Sequence, residues 1–270
     1  MRRTLNVMLP PLEAPFAVFC GDREVFLFSV KLADVPGALQ QVFSVIASYS
    51  LNVISIYSVD TSYLGEREQV EVNIIVDLTG KPFSAEQLAK SISLLNVVKD
   101  VSYYGKQLPD MLFDEHHFPL RIMGERAIIY RESGYREMIL GLKRQLGTGG
   151  DAILYHIGLN IGKGIWNKLK QITGGDLDLL VKHVKYRVMM NRTSRVKEIS
   201  MDLEAGRVVV RLEDNYECAL VKNYGKPFSN LHRGMFTGIF SELVGSEKSK
   251  ETKCIAAGDP YCEFVIGKID

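Results

Sequence analysis

The chain closes on a stretch that leaves little freedom of local structure. Glu251-Thr252-Lys253-Cys254 runs through Ile255 to Tyr261 into Cys262-Glu263-Phe264-Val265, with Gly258-Asp259-Pro260 between two short apolar runs. That pattern predicts a β-hairpin turning at Gly258. Such a hairpin sets Cys254 and Cys262 on neighbouring strands, roughly opposite one another. Glu251, three residues before Cys254, would point to the other face of a regular strand, and a bulge or strong twist would bring it round. Two thiolates and a carboxylate converging on one point suit zinc or another soft metal. The plainer reading is two small buried apolar side chains, or a dithiol, because the double C-x-x-C pattern is absent.

The same residues carry a family likeness. Glu251 to Phe264 resembles the closing signature of the 4-vinyl reductase domain family. Upstream, His232-Arg233-Gly234-Met235-Phe236-Thr237-Gly238 and Ser241-Glu242-Leu243-Val244-Gly245 resemble the glycine-rich helix before that signature. The resemblance implies an α/β domain related to small TRAPP subunits, with an apolar ligand cavity. It also implies zinc, held in the family's phenol- and xylene-responsive sensor domains by three cysteines and a glutamate. Glu251, Cys254 and Cys262 match three of those ligands, while the fourth cysteine falls at about Ser229. Cys218 is the first choice to replace it, with His232 or a water as the other options.

At 270 residues the chain is long for one compact unit and natural for two. The formal net charge of +1 argues against a nucleic-acid partner. Four cysteines, Cys20, Cys218, Cys254 and Cys262, are too sparse for a disulfide scaffold, which points to a reducing cytoplasm. Met1 to Phe19 carries Pro10, Pro11, Glu13 and Pro15, and reads as neither signal peptide nor anchor. No run approaches the roughly 18 apolar residues that span a bilayer, so no membrane insertion is expected.

After an N-terminal extension, 1–23, the order is strand (Val25 to Leu32), helix (Leu39, Val42, Phe43, Ile46), strand (Val53 to Val59), strand (Gln69 to Leu78), helix, strand (Val101 to Tyr104). Ser84 and Gln87 predict a capping box on the second helix. This is the βαββαβ ferredoxin-like arrangement. Leu32-Ala33-Asp34-Val35-Pro36-Gly37-Ala38-Leu39, followed by Asn52-Val53, resembles the ACT domain, a regulatory module, over about 24–106. The resemblance implies an amino-acid effector at Asp34, Gly37 and Asn52, since a helix N-terminus offers free N–H groups to a carboxylate. In the plainer reading Gly37 only permits the turn, Asp34 only caps the helix, and the domain serves to pair two chains.

Residues 107–118 read as a linker, with His116 and His117 solvated in an acidic loop. From 119 to 270 a second domain follows, with helices packed on an antiparallel sheet, giving an α+β fold class overall. Ser133 is expected to cap a helix ended by Gly147, and Asp151 to cap the next, with a buried stripe of Leu154, Ile157, Ile161 and Ile165. Gly158 and Gly162, one turn apart, allow another backbone to come close. Gly158 to Lys163 is one residue short of a P-loop and lies within the helix, so nucleotide binding is not expected. The basic run Lys182 to Lys197 reads as a solvated connection. Ser229 is expected to cap the helix carrying Met235, Ile239, Phe240 and Leu243.

No catalytic constellation stands out, so an enzyme is the less favoured class. The reading is a cytoplasmic, homodimeric small-molecule sensor. An apolar or aromatic ligand would be lined by Tyr130, Tyr155, Trp166, Met189, Met190, Phe236 and Phe240, each of which is equally at home as ordinary core. The alternatives are an accessory protein or reductase in tetrapyrrole or aromatic metabolism, or a scaffold that assembles partners.

Overall fold

The computed structural model describes residues 11–59 and 67–269. The chain divides into two compact units, Met1–Ile128 and Ile129–Asp270. Residues 1–10 of the expected N-terminal extension lie outside the described residues.

In the first unit the elements are β1 (Ala17–Phe19), β2 (Val25–Ala33), α1 (Ala38–Ser48), β3 (Asn52–Ser58), β4 (Gln69–Asp77), α2 (Ala85–Ser93), β5 (Val98–Tyr104) and β6 (Met111–Phe113). A short hairpin, β7 (Arg121–Ile122) and β8 (Glu125–Arg126), follows. The antiparallel sheet has the order β3-β4-β2-β5, which completes the ferredoxin-like βαββαβ fold. Alternate residues of β2 and β4 (Phe28, Val30, Leu32, Ile74, Val76) meet Val42 and Ile46 of α1 and Leu88 and Ile92 of α2. The intervening residues Val25, Leu27 and Ile75 face the other way and pack with Cys20 and Leu112. The second face is therefore covered in part by the β1–β6 ribbon, whose β6 comes from the stretch read as a linker.

The capping box on α2 is present, with Gln87 N–H donating to Ser84 Oγ (3.2 Å) and Ser84 N–H to Gln87 Oε1 (2.8 Å). Helix α1 differs from expectation. Gly37, at φ 85°, occupies its N-cap without a side-chain cap, and Asp34 is drawn instead to Arg67 at 3.5 Å.

The second unit runs α3 (Glu132–Arg136), a π-helical turn (Glu137–Gly141), α4 (Leu142–Leu146), α5 (Thr148–Thr173) and α6 (Leu177–Met190). Then come β9 (Ser194–Asp202), β10 (Arg207–Asn215), α7 (Tyr216–Ala219), α8 (Asn230–Val244), β11 (Ser249–Lys253), a 3-10 turn (Ile255–Ala257) and β12 (Cys262–Gly267). The sheet order is β11-β12-β10-β9, antiparallel throughout, with its inner face packed on α5, α6 and α8. The α+β class thus holds for both units.

Helices α5 and α8 meet backbone to backbone. A Cβ built on Gly158 would lie 2.0 Å from Leu231 O, and one on Gly162 2.0 Å from Met235 O. From the other side, a Cβ on Gly234 would meet Tyr155 O at 2.0 Å, and one on Gly238 would meet Leu159 O at 2.1 Å. The contact corrects the expected stripe of α5. Its buried line runs Leu154, Gly158, Gly162, Trp166 and Leu169, whereas Ile157 and Ile161 are 45% and 47% exposed. The glycines, not the isoleucines, mark the inward face, because only they admit a second backbone so close.

Three expected caps are also displaced. Ser133 lies inside α3, whose N-cap is Arg131. Asp151 lies in the first turn of α5 with its carboxylate on Lys143 Nζ and Asn230 Nδ2. Ser229 holds the N-cap position of α8, but its hydroxyl is used elsewhere.

Candidate functional site

Cys218, Glu251, Cys254 and Cys262 are all buried, and their ligand atoms lie within 4.8 Å of one another. Three local devices gather them. Short α7 presents Cys218, and β12 opens on Cys262. In the β11–β12 ladder the register shifts between Glu251 and Lys253, the bulge that turns Glu251 to the side of the cysteines. The turn beyond β11 is pinned by Asp259, whose carboxylate accepts the Cys254 N–H at 2.8 Å, and Gly258 takes φ 106°.

Cys218 Sγ lies 3.5 Å from Cys254 Sγ and 3.4 Å from Cys262 Sγ. A tetrahedral zinc–thiolate centre, with bonds of about 2.3 Å, keeps its sulfurs about 3.8 Å apart. The observed spacing is a few tenths of an ångström tighter. Glu251 Oε2 accepts the Ser229 N–H at 3.0 Å, while Oε1 is buried with no hydrogen-bond partner. An unpaired carboxylate oxygen among thiols is costly without a positive charge to face. Burial, and then the proximity of Cys254, push the Glu251 carboxyl up to about 8. Cys262 is held low by hydrogen bonds from Cys218 and then Cys254, with smaller help from the Ile255 N–H and Asn215; Cys218 is pushed up by the same crowding. The donor set, the spacing and the orphaned oxygen fit a soft divalent ion.

Of the candidates for the fourth position, Cys218 joins the cluster and His232 does not. His232 is engaged by Ser194 at 2.7 Å and Glu217 at 2.9 Å. Ser229 sits beside the centre, its Oγ 3.0 Å from Cys218 Sγ and 4.0 Å from Cys262 Sγ. Asn215 donates to Ser229 Oγ (2.8 Å) and Cys262 Sγ (3.5 Å). Sequence reasoning did not single out Asn215 or Glu217; the Asn-Tyr-Glu-Cys run ending at Cys218 was the available signal. Glu217 takes over the capping of α8, accepting the Leu231 N–H (3.1 Å) and the His232 N–H (2.7 Å).

The expected pocket residues fall in different surroundings. Trp166, Phe236 and Phe240 belong to the main core, and Phe236 packs against the Phe264 ring. Tyr130 is exposed, Met189 and Met190 are half-buried, and the Tyr155 hydroxyl donates to Glu247 O. A cleft of about 390 Å³ between α5 and the end of α8 is lined by Lys163, Trp166, Asn167, Gly238, Ser241, Glu242, Gly245, Ser246 and Glu247. Of the seven expected residues only Trp166 lines this cleft. Its walls are polar, with Lys163 paired to Glu247, and Trp166 and Lys170 both bonded to Glu242.

In the first unit, Gly37 caps α1, Asp34 follows β2, and Asn52 opens β3 opposite Asp77. A second polar cluster lies on the sheet face away from the helices. The Asp114 carboxylate accepts from Tyr57 (2.7 Å), Tyr104 (3.0 Å), Asn73 (2.9 Å) and His117 (2.7 Å). Burial pushes its pKa up, but these bonds, with the His117 backbone N–H, outweigh it and hold the carboxyl below its ordinary range. The reading of His117 as solvated is thereby corrected: it bridges Asp114 and Glu71. His116 is exposed, with its ring on the edge of Tyr104.

Residues 208–268 match the 4-vinyl reductase domain. An uncharacterized protein of Methanocaldococcus jannaschii, MJ0150, is 26% identical over 162 residues, 60% of this chain and 86% of its own length. The phenol-responsive sensory domain of the transcription activator PoxR, solved with phenol, is similar in structure, with a TM-score of 0.45 and 19% identity. That overlap covers 54% of this chain and 78% of that one. The C-terminal domain of the MgtC protein from Mycobacterium tuberculosis overlaps 33% of this chain and 93% of its own, with a TM-score of 0.26 and 17% identity. Neither structural overlap is close enough to carry a functional argument.

Proposed function

We propose that this protein is a cytoplasmic small-molecule sensor, whose C-terminal domain (119–270) takes an apolar or aromatic ligand and is braced by a structural zinc. The carrying observation is the convergence of Cys218, Glu251, Cys254 and Cys262 on one buried point within and beside the segment that matches the 4-vinyl reductase domain. Zinc there would be held by three thiolates and one carboxylate oxygen, with Glu251 Oε1 the atom that lacks another partner. A closed set of four protein ligands supplies no open position for water, so the ion stabilises and does not activate a nucleophile. It would tie α7 to the β11–β12 hairpin, and through Ser229 and Glu217 to the start of α8.

Helix α8 is also one wall of the apolar core that holds Trp166, Phe236 and Phe240, the residues we assign to ligand contact together with Tyr130, Tyr155, Met189 and Met190. The first unit is read as an ACT-like regulatory domain (24–106) that pairs two chains and takes an amino acid at Asp34, Gly37 and Asn52. What supports this is its ferredoxin-like order and the open N-terminus of α1, where no side chain caps the N–H groups.

The test is a thermal melt of the full chain against phenol, catechol and short alkylbenzenes, together with metal analysis of protein purified without added zinc. A ligand at about a hundred times its Kd should stabilise the chain by roughly 2.7 kcal/mol. No shift with any apolar probe would remove the sensor reading, and metal-free wild-type protein would remove zinc.

A further inference from the structure

Ser194, His232 and Glu217 form a buried relay that the sensor reading does not use. Ser194 opens β9, Glu217 lies in α7 and His232 is in the first turn of α8, so the sheet and two helices bring together residues far apart in sequence. Ser194 Oγ lies 2.7 Å from His232 Nε2, and His232 Nδ1 lies 2.9 Å from Glu217 Oε2. Glu217 already accepts two backbone N–H groups and is wholly buried, so it acts as an acceptor and Nδ1 must carry the ring proton. That tautomer leaves Nε2 as the acceptor facing the serine hydroxyl. Both spacings fall within the roughly 2.6–3.2 Å that an activated nucleophile, its base and the base's orienting group require.

We propose that Ser194 is an acyl-accepting nucleophile, with His232 as its proton acceptor and Glu217 as the residue that positions His232. Capping of α8 explains Glu217 and the Nδ1 bond. It does not explain why Nε2 is aligned on a hydroxyl rather than buried against carbon. The serine has a competing acceptor, the Thr193 carbonyl at 2.6 Å, so its proton faces His232 in one of two rotamers. The His232 ring lies against aromatic rings, with Tyr216 at 4.9 Å and Phe236 at 6.3 Å, and Tyr216 meets Tyr135 edge-on at 5.1 Å. Tyr135 and Tyr216 are half-buried, so this aromatic rim is where the relay approaches solvent. A small aryl ester is the substrate class that suits it.

In the reaction, Ser194 Oγ bonds to the ester carbonyl carbon while its proton passes to His232 Nε2. The carbon–aryloxide bond then breaks, and His232 returns the proton to the leaving oxygen. Water hydrolyses the acyl-serine by the same steps in reverse, which releases the acid and restores the hydroxyl.

The full chain is incubated with a fluorophosphonate and, separately, with p-nitrophenyl acetate, and the adduct is located by peptide mass spectrometry. The expected result is one adduct per chain on Ser194, absent after denaturation, and a burst of one p-nitrophenolate per chain that Ser194→Ala abolishes. His232→Gln should slow acylation by about a hundred-fold or more, at an unchanged melting temperature if α8 keeps its Glu217 cap. A native wild-type protein that carries no adduct on Ser194, or a burst that survives Ser194→Ala, overturns the proposal. Because the site of labelling is read in the wild-type chain, a variant that fails to fold does not affect the outcome.

Discussion

Replacing Gly162 by Ala sets two effects of opposite sign against each other. In an ordinary exposed helix the change stabilises by about 0.8–1 kcal/mol, because alanine loses less backbone entropy. Here the new Cβ would stand 2.0 Å from Met235 O, 2.9 Å from Gly238 Cα and 2.9 Å from the Ile239 nitrogen. Restoring a contact of about 3.4 Å requires α5 and α8 to part by more than 1 Å, and a backbone carbonyl cannot rotate away as a side chain can. Overpacking of a close-packed interior costs typically 1–3 kcal/mol and occasionally more, and a clash with rigid backbone belongs at the upper end. The reciprocal glycine contacts along the seam would loosen together. We expect a net loss of about 2–3 kcal/mol, or roughly 5–10 °C in Tm for a unit of this size. Gly164 provides the control on the same helix, since nothing lies within 4 Å of its Cβ. Gly164→Ala should raise stability by about 0.5–1 kcal/mol. Urea and thermal unfolding followed by circular dichroism would compare the two. If Gly162→Ala melts at or above the wild type, the backbone contact between α5 and α8 does not exist as described.

Cys254→Ser and Glu251→Gln should each reduce bound zinc from about one per chain in protein purified without added metal; zinc unchanged in both would place any ion elsewhere. Asp114→Asn removes a carboxylate that four side chains donate to, at a cost of about 2–3 kcal/mol measured by urea unfolding. Because the Asp114 pKa is lowered in the folded state, its contribution is present above the ordinary carboxylate value of about 3.9 and is lost as pH falls through the folded value. The wild type should therefore lose stability on acidification more steeply than Asp114→Asn, and parallel acid profiles would refute the assignment. Sedimentation of the full chain at micromolar concentration should give a dimer, and a monomer would remove the pairing proposed for the first unit.

The βαββαβ order was legible because strand and helix periods, the Ser84 capping box and the turn residues are local properties, and they agree with the tertiary fold. The Gly258 hairpin was legible for the same reason, and Glu251, Cys254 and Cys262 came with it. The bulge that turns Glu251 toward the thiols was only an option in the sequence, because a one-residue register shift is decided by the partner strand. Cys218 and Ser229 reach the centre through packing between α7, the start of α8 and β12, which no spacing encodes. The relay of Ser194, Glu217 and His232 was invisible for the same reason: its members are separated by up to 38 residues and meet only when the sheet closes under α8. The stripe of α5 was misread because apolarity usually marks the inward face. Here the inward face is set by how near α8 must come, and at 2.0 Å from a carbonyl to a hypothetical Cβ only glycine fits. Local chemistry thus determined the elements and the hairpin, while interhelical distance and strand register, which exist only in the folded chain, decided which side chains share a site.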